Sequence, residues 1–190
     1  MLIDEYLSSF DAVERHQLTI NAPAHVVFDA VRALDLSDSR IVRWLFRLRA
    51  LPGWCRRGHP GDQRLGLTLQ DLIASGFIML GERLDEEIVL GLVGRFWTPR
   101  GSIKRIDAET FTVFASPGYA KAAWNFSLSQ TSEVATRLAT ETRVLCLDTA
   151  SRRKFKLYWA LIAPFSGAIR MEALRSIKRA AEAKARGDGA

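Results

Sequence analysis

Cysteine is scarce. The 190 residues hold two, Cys55 and Cys146, too far apart for a disulfide framework and suited to a reducing cytoplasm, the expected location. Long apolar runs are missing too. The longest stretch without a charge, Leu157 to Ile169, has thirteen residues, short of the roughly 18 that suggest a membrane span. No basic segment followed by an apolar run opens the chain, because Met1 to Phe10 carries Asp4 and Glu5; no secretory signal is expected. Three histidines, His16, His25 and His59, fall in separate stretches, and beyond Cys55-x-x-x-His59 nothing completes the four ligands of a structural zinc site. No metal and no other cofactor is expected. Gly91-x-x-Gly94 lies mid-strand, away from any strand-to-helix turn, which argues for strand curvature and against a phosphate cradle. Ser166 has no nucleophile elbow around it, and Cys146 reads as a small buried residue, so nucleophilic catalysis lacks a candidate.

What is present is ordinary in amount and uneven in placement. Apolar residues make up 48% and charged residues 25%, the balance of a soluble globular protein, which excludes collagen-like and disordered classes. No internal repeat or linker divides the chain, so one domain spanning residues 1–190, with its core in about residues 13–183, is expected. Lys and Arg number 27 against 21 Asp and Glu, a net charge of +6. Residues 1–40 hold seven acids and three bases; residues 41–64 hold six bases and one acid; residues 151–186 hold ten bases against Glu172 and Glu182. Such asymmetry fits either an anionic partner or a solvated helix face.

Apolar spacing predicts a strand over 13–20, then a short helix over 23–34 with Pro23 in its first turn. A second helix over 40–51 and a third over 67–74 follow, flanking a Gly/Pro/Arg-rich loop over 51–66 that could gate a site. From Phe77 the pattern becomes β. Strands are predicted over 77–83 and 88–97 around an acidic turn, then over 101–106, 111–115, 119–129 and 136–147. Residues 119–128 alternate cleanly: Ala120, Ala122, Trp124, Phe126 and Leu128 share one face, expected to be buried. Tyr119, Lys121, Ala123, Asn125 and Ser127 share the other, expected to be wet. A long terminal helix carries Phe155, Tyr158, Trp159, Ile162, Phe165, Ile169, Ala173 and Ile177 at steps of three or four, with a bend expected at Pro164.

This order is an α+β pattern. It resembles the helix-grip superfamily (SRPBCC, START-like), which includes START-type lipid-transfer domains, plant pollen-allergen-like proteins and polyketide cyclases. The resemblance rests on Leu18-Thr19-Ile20-Asn21-Ala22-Pro23 with Val26, Phe28 and Ala30, on the strand Thr136 to Val144, and on the terminal helix with Phe155, Tyr158 and Trp159. Gly81-Glu82-Arg83, Leu90 to Trp97 and Gly118 to Phe126 resemble an uncharacterised bacterial branch of it. The resemblance implies a curved antiparallel sheet of about six or seven strands wrapped round the C-terminal helix, with two short helices after the first strand. It also implies a cavity between sheet and helix for a hydrophobic or amphipathic small molecule.

Candidate ligand-binding residues are Trp97, Trp124, Phe126, Phe155 and Trp159, which as a group suit a mostly apolar pocket, with Thr140 and Thr142 to orient a polar end. The rival for each aromatic is plain core. Glu82 and Arg95, on neighbouring strands of one hairpin, are the candidates for acid–base work and for a mutual ion pair, the chemistry of a cyclase- or dehydratase-like enzyme. Glu141 and Arg143 are expected to face outward as a cross-strand charge pattern. Among partners, a small ligand ranks first, as for a carrier or sensor. Transient contact of the basic helices with anionic membrane comes next. Nucleic acid comes last, because no recognised module is present. Strand 88–97 is apolar on both faces, so its outer face needs cover from the N-terminal segment, from the third helix or from a second copy in a homodimer.

Overall fold

A computed structural model describes residues 1–35, 68–74, 76–98 and 102–187. The helix expected over 40–51 and the loop over 51–66, with Cys55 and His59, lie outside the described residues. The chain runs α1 (Leu2–Tyr6), β1 (Ala12–Ile20), α2 (Ala24–Arg32), α3 (Leu69–Ala74), β2 (Ile78–Arg83), β3 (Glu87–Gly94), α4 (Ala108–Val113), β4 (Ala120–Ser132), β5 (Ala135–Cys146) and α5 (Thr149–Gly187). Five antiparallel strands form one sheet in the order β1-β5-β4-β3-β2. A 39-residue helix, α5, crosses β1 and β5, and α2 packs against α5 and β4. This is the helix-grip layout.

Two expected strands are absent from the sheet. Residues 102–106 contribute one isolated bridge, Lys104 to Val93, and 111–113 belong to α4. The alternation of Phe111 and Val113 suggested a strand, but Asp107 accepts the Thr110 N–H at 2.7 Å and caps a helix turn instead. That turn drops Phe111 fully into the core while Val113 stays exposed. Local capping and one buried ring outweigh a three-residue periodicity.

The sheet is covered on both faces. On the α5 side, Ile20, Val27, Phe28, Ile88, Phe126, Leu138, Leu174 and Ile177 form one cluster, and Ala120, Val144, Cys146 and Phe155 form another nearer the start of α5. On the outer side, Leu2, Ile3 and Leu7 of the N-terminal segment and Phe111 of α4 pack over Leu80, Val89, Val93 and Ala123. The face of β4 expected to be wet is therefore closed: Lys121 is 5% exposed and Asn125 fully buried. The cover over β3 comes from α1 and α4, within the chain. Leu80 alternates with Ile78 onto this side, and a bulge between Met79 and Gly81 then sets Gly81 beside it opposite Val89. There Gly91 leaves the room that Leu80 fills, since a Cβ would sit 2.8 Å from the Leu80 side chain.

α5 starts on a built cap. Asp148 accepts the Ser151 N–H at 2.9 Å, the Ser151 hydroxyl at 2.5 Å and the Gly118 N–H at 2.6 Å. The Ser151 hydroxyl and the backbone donors pull the Asp148 carboxyl down to about 2 from an ordinary 3.8. A carboxyl depressed in the folded state stabilises it fully above the unfolded value, and that contribution is lost as pH falls through the folded one. Between pH 3.8 and about 2, unfolding temperature should therefore drop more steeply in the wild type than in Asp148→Asn, as acid thermal melts would show. Parallel curves would detach the cap from acid stability.

Candidate functional site

The strand registers align helix-facing residues in rows. One row reads Glu14 (β1), Thr142 (β5), Trp124 (β4), Leu90 (β3) and Met79 (β2). Its neighbour reads His16, Thr140, Phe126, Ile88 and Glu82. The first row is polar at the β1 end and apolar from β4 onward. Arg170 of α5 stands over the polar end. Its Nε donates to Thr142 Oγ1 at 2.9 Å, and one terminal nitrogen donates to Glu14 Oε2 at 2.9 Å and also to the Ser166 hydroxyl. His16 Nε2 meets the other Glu14 oxygen at 2.9 Å. Burial lowers the Arg170 guanidinium from its ordinary value, and the Glu14 charge pulls it part of the way back. Gly167, itself buried, lets the helix lie this close, because a Cβ there would stand 2.6 Å from Glu14 Oε1.

Next to this polar end stands Trp124, only partly buried. Its ring lies 5.0 Å from Phe126 and 6.2 Å from Phe77, centroid to centroid, and its Nε1 donates to Thr140 Oγ1 at 2.7 Å. Thr140 in turn donates to the Asn125 carbonyl at 2.7 Å. So of the residues singled out from sequence, Trp124, Phe126, Thr140 and Thr142 gather at the two rows. Phe155, Trp159 and Trp97 fall in the other helix-side cluster, where Phe155 stacks on Trp159 at 5.6 Å. The expected aromatic set is thus two sets, with Thr142 and Glu14 on the row of Trp124 and Arg170 of α5 over them.

Glu82 and Arg95 do not pair. Glu82 ends the second row at the edge strand and pairs with Arg32 of α2. Arg95 lies beyond the end of β3, exposed, with its guanidinium 4.6 Å over the Tyr119 ring. Each found a nearer partner on a neighbouring element. Glu14, His16 and Arg170 were missed as site residues. A signal existed: Glu14, His16, Leu18 and Ile20 share a two-residue period, so polar residues had to join the face carrying Leu18 and Ile20.

The outer face holds a second polar network. Glu87, 4% exposed, accepts the Leu2 N–H at 2.6 Å, the Ile3 N–H at 3.1 Å and the Asn125 amide at 2.6 Å. Asn125 Oδ1 accepts the Glu141 N–H at 2.8 Å. Glu141 takes a two-point contact from Arg15, at 2.9 Å for each bond, and a bond from Arg143 Nε at 2.6 Å. Arg143 also donates to the Leu7 carbonyl at 2.8 Å. Burial raises the Glu141 carboxyl, but the hydrogen bonds and charges of Arg15 and Arg143 more than reverse this, leaving it below its ordinary value. Glu141 and Arg143 do face outward as expected, yet both are 5% exposed, because the N-terminal segment lies over them. A cleft of about 290 Å³ opens beside this network, bordered by Met1, Arg15, His16, Gln17, Ser127, Ala139, Thr140 and Glu141.

Burial shifts two other groups. Burial pushes the Cys146 thiol up to about 12, consistent with a packed residue that does not act as a nucleophile. Lys121 is lowered by burial; its Nζ donates to the Thr112 carbonyl at 3.0 Å and sits 4.9 Å over the Phe111 ring. No helix among the described residues is long and apolar enough to cross a membrane.

No family model and no curated protein matches the chain. Among solved structures it is similar to the di-domain aromatase/cyclase BexL from the BE-7585A biosynthetic pathway (13% identity, TM-score 0.35, covering 90% of this chain). The chain spans 46% of the length of that protein. It is also similar to a hypothetical protein of Helicobacter pylori (7% identity, TM-score 0.38, covering 96% of this chain and 93% of that one). A third likeness is to the Zhui aromatase/cyclase of a Streptomyces species (15% identity, TM-score 0.31, covering 90% and 93%).

Proposed function

We infer that the protein binds a hydrophobic or amphipathic small molecule between the sheet and α5, in a carrier or sensor role. The observation that carries this reading is the graded row, polar at Glu14 and Thr142 under Arg170 and apolar at Trp124, Leu90 and Met79. A plain core gains little net stability from a buried ion pair, whose desolvation offsets much of its attraction. A site for an amphipathic molecule uses both ends, the apolar half for affinity and a few fixed polar groups for orientation. Ligand atoms leaving water against Trp124 and Met79 contribute roughly 25 cal/mol per Å² before ordering costs.

The test is mass spectrometry of an organic extract from freshly purified protein, wild type beside Trp124→Phe and Arg170→Lys. A stoichiometric compound in the wild type that is depleted in both variants is the expected result. An empty wild-type extract, with no change in tryptophan fluorescence on titration with a series of fatty acids and aromatic amphiphiles, would sink the reading.

The pairing of His16 with Glu14 at 2.9 Å favours one second reading, a cyclase- or dehydratase-like enzyme in which this pair moves a proton on a substrate held along the row. It requires that an extracted compound turn over, and that turnover fall at least about a hundredfold in His16→Gln with binding retained.

A further inference from the structure

α5 carries a second apolar line on its solvent side. Leu157, Leu161 and Phe165 are 80%, 69% and 36% exposed. They follow at steps of four, so they share one line along the helix, continued by the exposed Ala168. At 1.5 Å per residue the line is about 16 Å long. The other large apolar side chains at least as exposed as Phe165 among the described residues, Met1, Phe10, Ile73, Leu84, Ile103, Val113 and Val134, sit in turns, in irregular segments or at the ends of short helices. Exposed bases bracket the line on the same side of the helix, Arg153 and Lys154 before it and Arg175 after it. No ion pair among the described residues holds these three.

A second copy and a lipid surface could both cover such a line, and charge separates them. Glu172 lies on the same side but is held by Arg179, so both ends of the line stay net basic, and two copies laid line to line bring net positive ends together. An anionic bilayer surface offers an apolar layer to the leucines and phenylalanine, and negative headgroups to the flanking bases. We propose that α5 docks lengthwise on an anionic lipid surface through Leu157, Leu161 and Phe165, with Arg153, Lys154 and Arg175 on the headgroups. The opposite side of the helix, with Phe155, Arg170 and Ile177, stays on the sheet. The docking does not depend on the small-molecule reading, whose own test is the extract.

Vesicle flotation of the full chain decides it, using phosphatidylcholine with and without phosphatidylglycerol. The wild type should float with the anionic vesicles, leave the neutral ones, and detach as salt rises. The double variant Leu157→Asp/Leu161→Asp should lose at least about tenfold in bound fraction, and Arg153→Glu/Lys154→Glu a comparable amount. All four side chains are exposed, so melting temperature and circular dichroism should match wild type in both. Four results would overturn the proposal: no flotation at low salt, equal binding to neutral vesicles, wild-type binding by the aspartate variant, or a dimer in sedimentation that the aspartate pair dissociates.

Discussion

Glu87→Ala is expected to destabilise the protein by about 3 kcal/mol, lowering its melting temperature by on the order of 10 °C. The physical reason lies in what the carboxylate receives. Leu2 and Ile3 are the first residues of α1, whose N–H groups have no partner within the helix. Glu87 accepts both, and it accepts the Asn125 amide from the middle of β4. Removing it leaves three donors at a buried site, each costing about 1–3 kcal/mol if left unmade. Fraying of α1 returns two of them to water, which keeps the total near the lower end. That fraying is itself measurable. Amide exchange should rise at residues 2–7 and in β3 and β4, whose outer face α1 covers, while the α5 side keeps its protection. Glu87→Gln retains one acceptor oxygen and should fall between wild type and Glu87→Ala. A loss below about 0.5 kcal/mol for the alanine variant would place Glu87 among ordinary surface residues.

Arg170→Met should cost a similar amount, about 3 kcal/mol, by a different route. The side chain and its partner Glu14 are 12% and 16% exposed. Breaking a fully buried pair costs about 3–5 kcal/mol, because one charge is left without compensation, and the residual exposure here trims that figure. Thr142 and Ser166 lose their donor at the same time. The double variant Glu14→Gln/Arg170→Met strands no charge and should recover at least about 1 kcal/mol over Arg170→Met alone, a coupling that urea unfolding resolves. Strict additivity would mean that the two side chains do not work as a pair. The Arg170→Met protein should also lose from its extract any compound that the wild type carries, which separates a merely stabilising pair from one that orients a ligand.

Buried charge is thus divided between the two faces of one sheet. The outer network, from Glu87 through Asn125 to Glu141, ties an N-terminal helix of five residues to strands more than 80 residues away. The inner cluster ties α5 to β1 across 156 positions. Both use charged groups where hydropathy alone would put aliphatic ones. Such groups survive burial only when every donor meets an acceptor, and among the described residues no buried side-chain nitrogen or oxygen lacks a partner.

Much of the layout was already legible along the chain. β4 and β5 follow from their two-residue alternation, α2 from Pro23 and the spacing of Val26, Val27 and Val31, and α5 from an apolar stripe of about six turns. These signals are strong because each is repeated many times within one element. α1 has five residues and α4 six, too few for a period to register, so their caps and packing decided them. The reading of Lys121, Asn125, Glu141 and Arg143 as solvated failed for a related reason. Polarity reports the cost of burying a group without a partner, and the partners came from the N-terminal segment, β1, α4 and neighbouring strands. Trp124 and Trp159 look equivalent in sequence, yet register puts one in a row with Thr142 and the other in a separate cluster. The sequence by itself determined the α+β order, the strands' alternating faces and the gripping helix, because those depend on periodicities local to each segment. Only the tertiary structure decided that both faces are buried, and that Glu14, His16, Thr142 and Arg170 meet, because convergence of distant residues depends on register and crossing, which no local pattern encodes.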